Sequence, residues 1–176
     1  MRFTQADLDG AYIIDLDRHA DERGFFARTW CRQEFAEQGL ETALAQASIS
    51  YNRRPGTLRG MHFQIEPPAE TKLVRCSRGA LHDVIIDLRP GSPSYRRWTA
   101  VELTADNGRM LYIPAGFAHG FITLEAHTEA YYMISEPYVP GSASGIRWDD
   151  PAFAIAWPRA VEVISERDRS WPDFSA

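Results

Sequence analysis

A handful of side chains carry most of the chemistry legible in this sequence. His62 lies in residues 57–64, where period-two alternation puts it on one face with Leu58, Gly60 and Gln64. A face with a glycine and two polar groups suits a cavity wall, and a neutral imidazole there suits proton removal near neutral pH. The competing reading is a hydrogen-bonded core histidine. Arg59 points to the opposite face of an ideal strand, so it joins His62 only through a bulge or a bend at Gly60; otherwise it serves another pocket or the surface. Lys72 is the single lysine among 19 basic residues. Where arginine serves as every other cation, a lone lysine marks either chance or a place that needs a compact ammonium rather than a planar fork. Tyr131 and Tyr132 are adjacent, so only one faces inward. Tyr132 shares its face with Ala130 and Ile134, the more apolar set, and is the inward one. A buried phenol needs a partner, and this one is either structural or a general acid opposite the base.

Other polar residues fall into place around these. His119 shares a face with Phe117 and Phe121, as a packed histidine or a cavity group. Asp83 and Asp87 lie with Leu81 and Ile85 on the next strand, where one of them could orient an imidazole or pair ordinarily. His82 reads as structural, and His19 and His127 as solvated turn residues. Arg23, in Asp21-Glu22-Arg23-Gly24-Phe25-Phe26, sets a cation beside aromatics. That suits a phosphate and a stacked ring, with Phe26 as the aromatic, or else an exposed turn charge.

The elements that must position these residues are short strands. Apolar, β-branched and aromatic stretches occupy residues 11–16, 24–30, 45–51, 57–64, 72–76, 80–88, 98–103, 110–113, 116–124 and 129–135. Breakers such as Arg54-Pro55-Gly56, Arg89-Pro90-Gly91 and Asp106-Asn107-Gly108 separate them. Spacings of roughly 8–12 residues with no long intervening helix predict an all-β sandwich or barrel. Short helices are expected at 32–38, ended by Gly39, and at 161–168. A length of 176 residues predicts a single domain over 1–176. With 24 acidic residues against 19 basic, the chain has no basic excess for nucleic acid. No apolar run approaches the ~18 residues of a membrane span, and no signal-peptide core is visible. Cys31 and Cys76 form no disulfide framework. A cytoplasmic protein with two free thiols is expected.

Two spacings narrow the β architecture. Gly56-x5-His62-x-Gln64, continuing to Lys72-x6-Gly79, and Gly108-x5-Pro114-x-Gly116-x2-His119 resemble the two cupin motifs. The resemblance implies a cupin-like jelly roll with the motifs on facing strands. Metal cupins supply His-x-His and Glu from the first motif and His from the second. Here Gln64 and Lys72 replace two of those ligands. An ammonium repels a divalent cation from such a site, so no metal is expected. It can instead stabilise a developing oxyanion.

DERGFF at 21–26, LRGMHFQ at 58–64, KLVRC at 72–76, IPAGFAHGF at 113–121 and GIRWDDP at 145–151 resemble the dTDP-4-dehydrorhamnose 3,5-epimerases, in order over roughly residues 10–170. The resemblance implies a cofactor-independent, metal-free homodimer that binds a nucleotide sugar. It would invert C3, C5 or both of a nucleotide-linked 4-keto-6-deoxyhexose in rhamnose biosynthesis. By that likeness His62 is the base, Lys72 steadies the enolate oxygen, Tyr132 is the acid and Asp168 pairs with the base. Arg23, Phe26, Gln46, Ser48, Arg59, His119 and Tyr138 would touch substrate. The family's Gln-Asp-Asn ahead of the LRG strand is Gln46-Ala47-Ser48 here, and Arg28 replaces a Glu. Residue chemistry alone is also compatible with an epimerase of one centre on another nucleotide sugar, a metal-dependent cupin, or a non-catalytic sugar-nucleotide-binding jelly roll.

Overall fold

A computed structural model describes residues 1–64 and 69–175. In chain order the elements are β1 (Arg2–Gln5), β2 (Tyr12–Asp15), β3 (His19–Asp21), β4 (Gly24–Phe26), α1 (Arg32–Glu37), β5 (Gln46–Asn52), β6 (Thr57–Gln64) and β7 (Lys72–Arg78). They continue as β8 (Ala80–Asp87), β9 (Trp98–Thr104), β10 (Met110–Ile113), β11 (Phe117–Thr123), β12 (Thr128–Ile134), β13 (Ala143–Gly145), β14 (Val163–Ile164) and α2 (Glu166–Arg169). One sheet has the order β1-β2-β10-β7-β12-β5, the other β13-β6-β11-β8-β9, and β3 and β4 form a separate hairpin. Pairing is antiparallel throughout, except that β14 runs parallel to β6. Two facing antiparallel sheets with crossed connections make the all-β jelly roll that the spacing of turns predicts.

Alternation places the core. Val74 and Cys76 of β7, Leu111 and Ile113 of β10, and Ala130 of β12 meet Leu81 and Ile85 of β8, Leu103 of β9, and Phe117 and Phe121 of β11. These inward rows change character along their length. On β7 the row Cys76, Val74, Lys72 runs from buried thiol to ammonium, and on β12 Ala130 gives way to Tyr132. One end of the sandwich is therefore packed and the other is lined with polar groups. The outer face of the first sheet is covered by α1, which exists because Phe35 packs onto Leu73, Met110 and Tyr112. The outer face of the second is covered by the C-terminal segment, through Ile146, Phe153, Trp157 and Phe174.

The strands predicted at 57–64 and 110–113 match to the residue, and the others shift by one or two at their ends. The 24–30 run forms only the short β4, because the chain leaves the hairpin after Phe26. β1, β3, β13 and β14 are too short to announce themselves; β1 pairs with the adjacent β2, whereas β13 and β14 take their backbone partner from β6, distant in sequence. The helix predicted at 161–168 is instead β14 followed by the single turn α2. Val163 and Ile164 pair with Thr57 and Leu58, and the Ser165 hydroxyl then accepts the Asp168 N–H at 3.0 Å, capping the turn.

Candidate functional site

The polar end of the sandwich encloses a cavity of about 440 Å³. One wall belongs to β6 and β11, which contribute Arg59, His62, Gln64, His119 and Phe121. The facing wall belongs to β5, β7 and β12, which contribute Gln46, Ser48, Ser50, Lys72, Val74, Tyr132 and Ile134. Phe63, Glu70, Tyr138, Ser142, Ala143 and Arg167 complete the lining. His62 and the pair Lys72 and Tyr132 thus rise from opposite sheets, with the cavity between them.

Arg59 and His62 face the same cavity because β6 is bulged. His119 pairs with His62 and Phe121 with Arg59, so three steps on β6 oppose two on β11. The extra residue reverses the parity that would have put Arg59 outside. Glycine makes the bulge possible. Gly60 adopts φ +139°, and a Cβ on it would lie 2.5 Å from the Cα of Gly120 on the neighbouring strand. Arg59 Nε donates to Asn52 Oδ1 at 2.8 Å, which holds the guanidinium at the cavity.

Two imidazole–carboxylate pairs sit side by side on this wall. His62 Nε2 meets Asp168 Oδ1 at 2.7 Å, and Asp168 Oδ2 accepts the Gly60 N–H at 3.3 Å. Burial raises the Asp168 pKa, but the His62 hydrogen bond and charge, the Gly60 amide and Ser165 outweigh it and hold the carboxyl below its ordinary range. Asp168 therefore stays an acceptor, and its hold on Nε2 leaves His62 Nδ1 as the ring atom available to a ligand. His119 Nε2 meets the fully buried Asp83 Oδ1 at 2.8 Å. The question of which aspartate orients which histidine thus has two answers: Asp168 serves His62, and Asp83 serves His119. Asp87 is committed elsewhere, to Arg89, Ser92 and Ser94.

Lys72 is 12% exposed, and its Nζ lies 2.8 Å from Glu70 Oε1. Sequence reasoning passed over Glu70, although a residue two places before Lys72 shares its face in extended chain. It also passed over Arg167, which carries no local pattern. Tyr132 faces the cavity and Tyr131 does not line it, as alternation predicts. His82 lies against Trp157, and burial lowers its pKa, in keeping with a structural histidine. Burial pushes the Cys76 thiol up to about 11, so it is inert as a nucleophile. His19 belongs to β3 rather than a turn, and His127, at φ 56°, bonds the Tyr51 hydroxyl.

Gln46, Ser48, Arg59, His119 and Tyr138 are brought to the cavity with His62, Lys72 and Tyr132, and Asp168 stands behind His62. Arg23 and Phe26 are not. They lie on the β3–β4 hairpin, where Arg23 pairs with Asp21 and Phe26 is 70% exposed. Arg28 is likewise outside, paired with Glu34 at 3.0 Å.

Comparison with known proteins accords with this geometry. The family model described as dTDP-4-dehydrorhamnose 3,5-epimerase matches residues 5–176. A protein of that name from Methanothermobacter thermautotrophicus is 46% identical over 173 residues, covering 97% of this chain and 92% of the relative. The crystal structure of such an epimerase from Bacillus anthracis, with TDP and PPi bound, superposes with a TM-score of 0.95 at 38% identity, covering 98% of this chain and 99% of that one. A dTDP-6-deoxy-D-glucose-3,5-epimerase from Legionella pneumophila, in complex with dTDP-4-keto-L-rhamnose, gives a TM-score of 0.90 at 32% identity, with 99% of each chain covered.

Proposed function

This chain belongs to the dTDP-4-dehydrorhamnose 3,5-epimerase family, and from that premise we propose how its cavity performs an epimerisation. It is an isomerase of a nucleotide-linked 4-keto-6-deoxyhexose, the dTDP-4-dehydro-6-deoxyglucose type. C3 and C5 both flank the C4 ketone, so a hydrogen on either is acidic once the enolate is stabilised. His62, oriented by Asp168, takes the proton from one of these carbons. The C–H electron pair moves into the ring as a C=C bond, and the carbonyl pair moves onto O4. The Lys72 ammonium donates to that oxygen. Tyr132 then returns a proton to the carbon from the other side, and the carbonyl re-forms with the centre inverted. The 4-keto group is itself the electron sink, so the scheme requires no redox cofactor.

The observation that carries this reading is the opposition of His62 to Lys72 and Tyr132 across the cavity, since inversion needs a base and an acid on opposite faces of one ring. Arg59, His119, Gln46, Ser48 and Tyr138 serve as substrate contacts in this reading. The test is proton NMR in heavy water with dTDP-4-keto-6-deoxyglucose and its GDP and CDP counterparts. Deuterium is expected at C3 and C5 of the dTDP substrate. No exchange with any of the three, from folded protein, would reject the proposal.

We further read residues 1–176 as one domain that acts as a homodimer in the cytoplasm. β5 is an edge strand, and it exposes Ile49 (60%) and Tyr51, while the hairpin exposes Phe25 and Phe26. Unprotected edges and apolar patches of this kind favour a second copy. In that arrangement the hairpin carries Arg23 and Phe26 to the partner's cavity, which reconciles their substrate-binding role with their place outside their own. Two free cysteines suit a reducing compartment. Among the described residues no helix is long and apolar enough to cross a membrane.

A further inference from the structure

Lys72 opens β7, where it pairs with Ile113 on one side and Ile134 on the other. The pairing fixes its backbone but not its ammonium, which sits at the end of a flexible four-carbon stem. Glu70 supplies what the sheet does not. Nζ lies 2.8 Å from Glu70 Oε1, and the two side chains are only 12% and 17% exposed. Water screens such a pair far less than it screens an ion pair on the surface. Among the described residues Glu70 is the one carboxylate within ion-pair distance of Nζ. Glu70 is itself placed by its neighbour. The Thr71 N–H donates to Ser135 Oγ at 2.9 Å, and the Thr71 carbonyl accepts the Ser135 N–H at 3.0 Å. Those two bonds carry the β7–β12 pairing one residue beyond Lys72. Glu70 and Lys72, on either side of Thr71, both line the cavity.

We infer that Glu70 is a positioning residue for Lys72: it fixes the ammonium so that the N–H groups left over point into the cavity, where O4 of the 4-keto sugar becomes an enolate oxygen. The inference rests on the proposed epimerisation and adds a residue that acts through Lys72. An ammonium has three donors. One is directed at Glu70, and the developing oxyanion needs only one of the others. A donor stabilises an oxyanion most when it is already in place as the charge develops, and a misplacement of about 1 Å can cost ~10²-fold in rate. The carboxylate has an opposite effect as well, because negative charge beside an enolate opposes it. The benefit of Glu70 therefore depends wholly on Lys72. With the ammonium present, Glu70 aims a donor; without it, Glu70 only repels.

The test compares the wild-type protein with Glu70→Ala and Glu70→Gln, in steady-state turnover of dTDP-4-keto-6-deoxyglucose and in NMR of protein labelled with ¹³C-lysine. Lys72 is the chain's single lysine, so its ε-methylene gives one assignable signal. Glu70→Ala is expected to lower kcat by ~10–100-fold, the range for a misplaced catalytic group, with KM within about threefold of wild type. Its lysine signal should sharpen and move toward that of free lysine. Glu70→Gln should recover most of kcat, because the amide oxygen still accepts from the ammonium. In a Lys72→Met background, where residual proton removal is read as deuterium uptake, Glu70→Ala should cause no further loss. Unchanged kcat in Glu70→Ala overturns the inference, as does a rise in KM at constant kcat, which would make Glu70 a substrate contact. A fall in kcat with the lysine signal unmoved also overturns it, and so does a further tenfold loss in the Lys72→Met background or a Gln variant no better than Ala. If the wild-type protein turned over no substrate, the enzymatic reading itself would fall. The lysine signal would still report whether Glu70 holds Lys72.

Discussion

His62 and Asp168 meet across 106 residues of sequence, and the phenol that opposes them hangs from the other sheet. That separation makes the two proton transfers independent, and Tyr132→Phe should pull them apart. His62 remains able to remove a proton, exchange it with heavy water and return deuterium to the same face. Deuterium uptake with retention should persist in Tyr132→Phe while inversion falls by ~10²–10⁴-fold, the worth of a positioned acid. NMR of the recovered sugar nucleotide distinguishes the two. Equal loss of uptake and inversion would remove Tyr132 from the role of acid. Parity alone identified Tyr132 as the inward tyrosine, and composition alone singled out Lys72. Neither could find Asp168, whose one-turn helix has no periodicity and which was assigned by family likeness.

At the scale of elements, the bulge in β6 decides which groups share the cavity. Without the extra residue between His119 and Phe121 pairings, Arg59 would point away from His62. Gly60→Ala should therefore be costly twice, through its positive φ and through the clash with Gly120. A loss of about 2–4 kcal/mol in unfolding free energy is expected, measured by urea denaturation beside Gly91→Ala, where a Cβ meets nothing within 4 Å. Similar losses in both variants would locate the cost in backbone strain alone. The need for a bulge or bend at Gly60 was visible in the sequence, as the condition for Arg59 to join His62. Which alternative held was not, because it depends on the register of β11. The second helix failed as a prediction for a related reason: Val163 and Ile164 find a sheet partner in β6, and tertiary pairing overrides a weak local preference.

For the whole molecule, the exposed β5 edge and the projecting hairpin give the dimer proposal a direct readout. Arg23→Ala and His62→Asn each disable every site in their own homodimers. In a mixed dimer, the His62 of one chain meets the Arg23 of the other in a single intact cavity. Co-refolding the two inactive variants in equal amounts should restore about a quarter of wild-type activity, since half the dimers are mixed and each has one good site of two. No recovery, with mixed dimers verified, would return Arg23 to the surface of its own chain.

The residues themselves determined the fold class, most strand positions and the inward direction of His62 and Tyr132, because each follows from short-range periodicity; composition singled out Lys72, and the cupin-like spacing gave it a place at the cavity. Family motifs added Asp168 and the substrate contacts. The three-dimensional arrangement decided what no local pattern encodes: that Asp168 serves His62 while Asp83 serves His119, that Glu70 holds the lone lysine, that Arg167 reaches the cavity, and that Arg23 and Phe26 do not. Each of these depends on where distant strands come into register or where a hairpin leaves the sheets. A chain's local pattern says which face a side chain prefers, and only packing says what stands opposite it.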